Sequence, residues 1–267
     1  MTQFSIDESF FSNLSVTNNH FDEFKEKTKK PIQELIKKYE IENKRIFSVG
    51  SGMAFEEYWF HKFKNELVLL DIDEHKILEK ICNCSINDKG NITYIIDDVN
   101  NFQKYEIGKF DIVYVSGFTL NELRNAEIAG KNSLVNRGLN QVFKKIGKYK
   151  MKQWPQETLP FMDIIMKILN QTLKLNGLFI YQSYASGVAS DSPSYVEAIR
   201  QQLLSNGITL LNIYRYSNYP SVHLVLGYKG DKNLSRKFLD KTELNPELTN
   251  FHGRSDLEHE IVKEIYI

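Results

Sequence analysis

RIFSVGSGMAFEEYWFHKFKNELVLLDID, residues 45–73, is the stretch on which the reading of this chain turns. A β-branched and aromatic run enters Gly50-Ser51-Gly52, and a second apolar run ends in Asp71. This is the outline of a strand, turn, helix and second strand in a nucleotide-cofactor half-fold. A Cβ in the turn would obstruct the cofactor, so Gly50 and Gly52 allow both the backbone bend and its close approach. Asp71 stands 19 residues beyond Gly52. That is about where a second parallel strand presents a carboxylate to a ribose diol.

The details of the loop separate the cofactor classes. A pyrophosphate wants the full Gly-x-Gly-x-x-Gly, whose third glycine lets the helix bring its positive N-terminus to the phosphates. Phe55 occupies that position here and argues against NAD or FAD, and with them a nicotinamide-dependent oxidoreductase. A P-loop needs Gly-x-x-x-x-Gly-Lys-Ser/Thr, and no lysine follows these glycines. What remains is a ribose site without a phosphate cradle, suited to an adenosine joined to something other than phosphate.

Working outward, Ile92 to Val99 is a third apolar run ending in Asp97-Asp98, Phe110 to Ser116 a fourth, and Leu175-Asn176-Gly177-Leu178-Phe179-Ile180 a turn into a fifth. In this order the segments resemble the class I S-adenosylmethionine-dependent methyltransferases from about Arg45 to Lys229. Gly50 to Ala54 is similar to that family's Gly-x-Gly-x-Gly loop, with alanine third. The resemblance implies a Rossmann-like, doubly wound, mostly parallel α/β sheet of seven strands with the last antiparallel. It implies that Gly50, Ser51, Gly52, Met53, Ile72 and Ser116 line the cofactor, with Asp71 at the ribose. Asp98 would accept from the adenine amino group with Val99 flanking the ring, and Asp97 competes for that role. The cofactor would be S-adenosylmethionine, with S-adenosylhomocysteine as product. One departure stands out: the family often has an acid two residues before the first loop glycine, where this chain has Ser48.

Length and composition set the frame. The chain has 267 residues, and 34 Lys plus Arg equal 34 Asp plus Glu. One domain accommodates that length, divided as 1–44 N-terminal helical cap, 45–116 cofactor-binding half, 117–157 substrate-side insertion, 158–229 second half of the sheet and 230–267 C-terminal extension. Average charge points to neither nucleic acid nor a strongly acidic partner. Cys82 and Cys84 lie too close in sequence to staple a fold or to supply a four-ligand zinc site, so no metal is expected. No apolar run approaches the roughly 20 residues that span a bilayer, and no basic-then-apolar signal opens the chain. A cytoplasmic protein without membrane contact is the expectation.

Elements follow from pattern. Residues 22–39 read as a helix of the cap, and 159–173 as a helix carrying Ile164, Ile165, Ile168 and Leu169 at core spacing, with Pro160 in its first turn. Residues 208–216 and 221–228 read as a final antiparallel pair, and the charged segment after Lys229 as helical and peripheral.

The cap and the insertion after the fourth strand are where the family implies a substrate site. Between Arg124 and Lys152 the insertion holds eight Lys and Arg against the single acid Glu127. A solvated lysine face explains most of these, leaving Arg124, Lys131 and Arg137, nearest the strand end, as substrate-binding candidates for an anionic group. Methyl transfer needs alignment and, for a hydroxyl acceptor, a base. Glu122 and His223 are the candidate catalytic residues, ahead of Tyr184, Asp191 and His252. Ser116-Gly117-Phe118-Thr119 stands where enzymes methylating base amino groups often carry Asn/Asp-Pro-Pro-Tyr/Phe. O-methylation of a small, anionic metabolite is therefore expected, with the sequence arguing against nucleic acid as a partner. The alternatives are an RNA methyltransferase and a non-catalytic scaffold that keeps the fold.

Overall fold

The computed structural model describes residues 2–6, 10–12, 21–52, 54–72, 92–116, 160–183, 202–216, 219–230 and 248–250. Their strands are β1 (Thr2–Ile6), β2 (Arg45–Val49), β3 (Glu66–Asp71), β4 (Ile92–Ile96), β5 (Phe110–Val115), β6 (Leu173–Ser183), β7 (Ile208–Tyr216), β8 (Tyr219–Lys229) and β9 (Leu248–Asn250). The main helices are α1 (Phe21–Tyr39), α2 (Phe55–Lys62) and α3 (Pro160–Thr172), with a 3-10 helix at Val99–Lys104.

The strands β2 to β5 are short runs of Ile, Val, Leu, Phe and Tyr buried on both faces, the composition of a parallel sheet covered by helices on each side. Side chains alternate between two layers. Ile46, Leu67, Leu69, Tyr94 and Tyr114 face Ile32, Leu35 and Ile36 of α1 and Phe60 of α2. Phe47, Val49, Val68, Leu70 and Val113 face Ile165, Ile168 and Leu169 of α3 and Phe102 of the 3-10 helix.

Sheet order is β1-β4-β3-β2-β5-β6-β8-β7-β9. Strands β2 to β6 pair in parallel, β8 runs antiparallel to β6, and β7 antiparallel to β8. Counted over the seven strands β2 to β8, this is the 3-2-1-4-5-7-6 order of the class I methyltransferase fold. The reversed last strands fall where the sequence places them.

Two edge strands extend that sheet. Expected only as helical cap, the N-terminal segment first contributes β1, antiparallel to β4 with Phe4 opposite Tyr94. Phe10 follows, fully buried with its ring centroid 5.8 Å from that of Tyr94. Expected as helix, the C-terminal extension contributes β9, paired with β7; its remaining residues beyond Gly230 lie outside the described ones. The turn expected at Leu175-Asn176-Gly177 is a register shift within β6: Phe110 pairs with Leu173, and Ile112 next with Leu178. Among the described residues no helix is long and apolar enough to cross a membrane.

Candidate functional site

The strand order reverses between β2 and β5, and the C-terminal ends of strands at such a switch point are where open α/β sheets bind ligands. The glycine loop is at that edge. Gly50 (φ 72°) and Gly52 (φ 49°) are in the left-handed region that a side chain resists. Gly50 N–H donates to Leu70 O at 2.8 Å, which ties the loop to the end of β3. Gly52 N–H donates to the Asp71 carboxylate at 2.6 Å. A Cβ built on Gly52 would meet nothing within 4 Å, so the loop presents bare backbone to open space. Ala54 is also left-handed, at φ 54°, and caps α2. Where the resemblance has a third glycine, this chain holds an alanine in a glycine conformation, at a cost of about 1–2 kcal/mol.

The neighbouring strand ends carry the other expected residues. Ile72, directly after Asp71, is 63 % exposed, an apolar side chain without cover among the described residues. Asp97 N–H donates to Asp71 O, and Ser116 N–H to Val49 O, so the ends of β4 and β5 are locked beside the loop. Asp97 is fully engaged: Oδ1 accepts from Asp98 N–H and Asn101 Nδ2, both at 2.8 Å, and Oδ2 from the Tyr105 hydroxyl at 3.0 Å. Burial alone would raise its pKa, but these hydrogen bonds outweigh burial and hold the carboxyl below the ordinary range. Asp98 is half-buried and caps the 3-10 helix through Oδ1, which accepts from Asn100. Val99 beside it is buried.

A group of polar side chains under the loop is not legible as a motif. Ser48 Oγ donates to Glu57 Oε1 at 2.5 Å, and Glu57 is wholly buried. Gln182 Nε2 donates to Oε1 of the equally buried Glu56 at 2.8 Å, and the Tyr114 hydroxyl donates to Gln182 Oε1. Within this group and the loop above it, Glu57 Oε2 and Ser51 Oγ are buried and make no hydrogen bond. Burial pushes the Glu57 carboxyl up to about 8; Glu56 and, more weakly, Asp71 add to the rise, and hydrogen bonds from Ser48 and from its own backbone N–H oppose it. α2 mixes four aromatics with four polar residues, FEEYWFHK, so its sequence alone does not announce that Glu56 and Glu57 are buried; packing of the helix against the sheet does that.

Gly50, Ser51, Gly52, Asp71, Ile72, Asp98, Val99 and Ser116 therefore share one sheet edge. His223 stands in β8 opposite Ser183, the last residue of β6, at the same edge. Met53, Glu122, Arg124, Lys131 and Arg137 lie outside the described residues, as do Tyr184, Asp191 and His252. Among the described residues no cluster of three or more His, Cys, Asp or Glu could hold a metal.

No family model matches this chain, and no curated protein matches it. Solved structures of similar fold do. Fibrillarin, a pre-rRNA processing protein of Methanococcus jannaschii, is 14 % identical over 72 % of this chain and 69 % of its own, with a TM-score of 0.47. The 1,6-didemethyltoxoflavin-N1-methyltransferase of Burkholderia thailandensis, solved with S-adenosylhomocysteine, is 9 % identical over 76 % and 79 %, with a TM-score of 0.48. A fibrillarin/Nop5p complex is 10 % identical over 70 % and 72 %, with a TM-score of 0.43. The likeness is one of fold. It nevertheless corrects the expected partners: chains of this fold include the pre-rRNA processing protein as well as the small-molecule enzyme. The overall neutral charge that argued against nucleic acid averages over local patches and excludes no partner, and a small-molecule substrate is not shown.

Proposed function

We propose that the protein is an S-adenosylmethionine-dependent methyltransferase. The observation that carries this reading is the Asp71 carboxylate meeting the Gly52 N–H at 2.6 Å, with open space where a Gly52 Cβ would stand. A loop built this way fits an adenosine that approaches the backbone and whose ribose hydroxyls take up the carboxylate.

The residues present suit each part of that cofactor. Asp71 would hold the ribose. Exposed Ile72 and buried Val99 would flank the adenine. Asp98 is favoured over Asp97 for the adenine amino group, because both Asp97 oxygens already accept hydrogen bonds. Ser51, whose buried Oγ lacks a partner, supports the loop's role at the methionine end. The bound cofactor supplies an activated methyl on a sulfonium, so the protein's work is to align an acceptor and accept its proton. Oxygen is the acceptor atom this reading carries, since the segment from Ser116 to Thr119 lacks the Asn/Asp-Pro-Pro-Tyr/Phe pattern. His223, at the same edge, and Glu122 are the candidate bases.

Calorimetry with S-adenosylmethionine tests the assignment. Binding by the native chain and at least roughly tenfold weaker binding by Asp71→Ala are expected. No binding by the native chain, or unaltered binding by the variant, overturns it.

A further inference from the structure

We propose that Glu57, outside the glycine loop, anchors the ammonium group of the cofactor's methionine end and so replaces the acid that the loop lacks at Ser48. The inference rests on the S-adenosylmethionine reading above and adds a residue to it.

Position comes first. Ser48 sits in β2 between Leu69 of β3 and Tyr114 of β5, two residues before Gly50, where the resembling family often carries its acid. Nine residues on, α2 returns a carboxyl to that same place, because Ser48 Oγ donates to Glu57 Oε1. The serine thus holds a carboxyl group it does not itself possess.

Availability is the second step. The hydrogen bond from Ser48 occupies Oε1 and leaves Oε2 buried without a partner, an arrangement that costs stability unless something fills it. Ser51 Oγ, in the adjoining loop, is buried and unpartnered in the same way. Glu56 differs. Its Oε1 accepts from Gln182, itself fixed by Tyr114, so it is engaged across the sheet.

Charge is the third. The ionisable groups acting on Glu57 are Glu56 of its own helix and Asp71 of β3, both acids. His61 lies one turn along α2 against the Phe11 ring, and Lys25 and Lys29 of α1 sit over the Tyr58 and Trp59 rings. A buried carboxyl oxygen without a partner, flanked by two acids, has the chemistry to take a cation that donates hydrogen bonds. The ammonium of an amino-acid group is such a cation, and the ribose held by Asp71 would bring it there.

The proton balance gives a readout beyond affinity. Below about pH 8 the free protein holds Glu57 neutral. When an ammonium settles against Oε2, the carboxyl gives up its proton to solvent and the carboxylate and ammonium pair. Binding at pH 6.5 therefore releases up to one proton per cofactor.

The experiment is calorimetry at pH 6.5 in two buffers of different ionisation enthalpy, on the native chain and Glu57→Gln. The probes are S-adenosylmethionine and 5′-methylthioadenosine, which lacks the amino-acid group. Expected for the variant are S-adenosylmethionine binding about 10- to 100-fold weaker, no proton release, and unchanged binding of 5′-methylthioadenosine. That last measurement also shows that the variant is folded. Equal affinity and equal proton release in both proteins overturn the proposal, as does an equal loss of both ligands, which would make Glu57 a support of the loop. Failure of the native chain to bind either probe instead defeats the methyltransferase reading beneath it.

Discussion

The two ends of the parallel strands differ in one carboxyl group: Asp97 at the C-terminal end is held by donors as Asp111 and Glu66 are at the other, and Glu57 keeps a buried oxygen with none. At the N-terminal ends Asp111 and Glu66 each have a cation or a donor. Asp111 accepts from Arg45 N–H and from Lys174 Nζ, both at 2.9 Å, and Glu66 accepts from Arg45 Nε at 2.7 Å. Burial tends to raise the Asp111 pKa, but those hydrogen bonds outweigh it and the carboxyl lies below its ordinary value. At the C-terminal ends Glu57 is buried beside Glu56 and Asp71, and the same burial, reinforced by like charge, pushes it up to about 8. One end resolves its charges and holds the sheet together. The other keeps an unsatisfied carboxyl, as a binding site does when its partner is a ligand.

The largest effect expected from this contrast is a dependence of stability on pH. The folded pKa of Glu57, about 8, is above its unfolded value near 4.5, so the folded state holds a proton that the unfolded state does not. Its contribution is complete below pH 4.5 and is lost as pH rises to 8, at up to about 1.4 kcal/mol per pH unit. Glu57→Gln cannot ionise. It should match the native chain near pH 5 and exceed it by several kcal/mol, on the order of 3, at pH 8 in urea unfolding. A difference between the two proteins that stays constant from pH 5 to pH 8 would mean that the acids of this end are compensated too, and the contrast would dissolve.

The sequence shows these two ends unequally. Glycine conformation is written in the residue type, so Gly50 and Gly52 announce the loop, and the spacing to Asp71 follows from one helix and one strand. The inner parallel strands are equally legible as elements, because buried parallel strands are apolar runs, whereas their order in the sheet came only with the family resemblance. Glu57 is hidden for a physical reason. Two acids in the first turn of a helix normally read as solvated partners of its dipole, and only the aromatic surround of α2 and the turn back to Ser48 bury them. Asp97 and Asp98 are adjacent and alike in sequence; only the bonds from Asn101 and Tyr105 set them apart. β9, of three residues, is too brief for pattern to separate from loop, and β1, though as long as β4, has only two apolar residues among its five, TQFSI against ITYII.

At the resolved end the next largest effect is steric. A Cβ on Gly177 would lie 2.6 Å from Leu173 Cδ1, 2.9 Å from Lys174 O and 3.0 Å from Asp111 O. Two of these neighbours are backbone atoms that cannot rotate away, beside the carboxylate that Arg45 and Lys174 hold. Gly177→Ala should therefore cost about 2–3 kcal/mol in urea unfolding, at any pH, with nothing like the slope of Glu57. A cost below about 0.5 kcal/mol would show the register shift of β6 to be soft and this end less firmly packed than its contacts suggest.

The smallest effect separates pairing from packing at that same end. Glu66 meets Arg45 at 2.7 Å, but the two side chains are 51 % and 31 % exposed, where water and salt screen the attraction. Arg45 also does not depend on it. Nη1 donates to Ile107 O at 2.6 Å and to Lys109 O at 3.2 Å, and the guanidinium lies 4.5 Å from the centre of the Phe110 ring. Removing the Glu66 charge leaves those contacts in place and strands no buried group. Glu66→Gln should thus alter stability by less than about 0.5 kcal/mol, the difference vanishing in 1 M salt. A loss above about 1 kcal/mol that persists in salt would relocate the strength of this end from the backbone hydrogen bonds of Asp111 and Arg45 to the ion pair itself. The contrast with Glu57 would then be one between a paired and an unpaired charge, and not, as the geometry has it, between carboxylates held by fixed donors and one whose donor must arrive from outside.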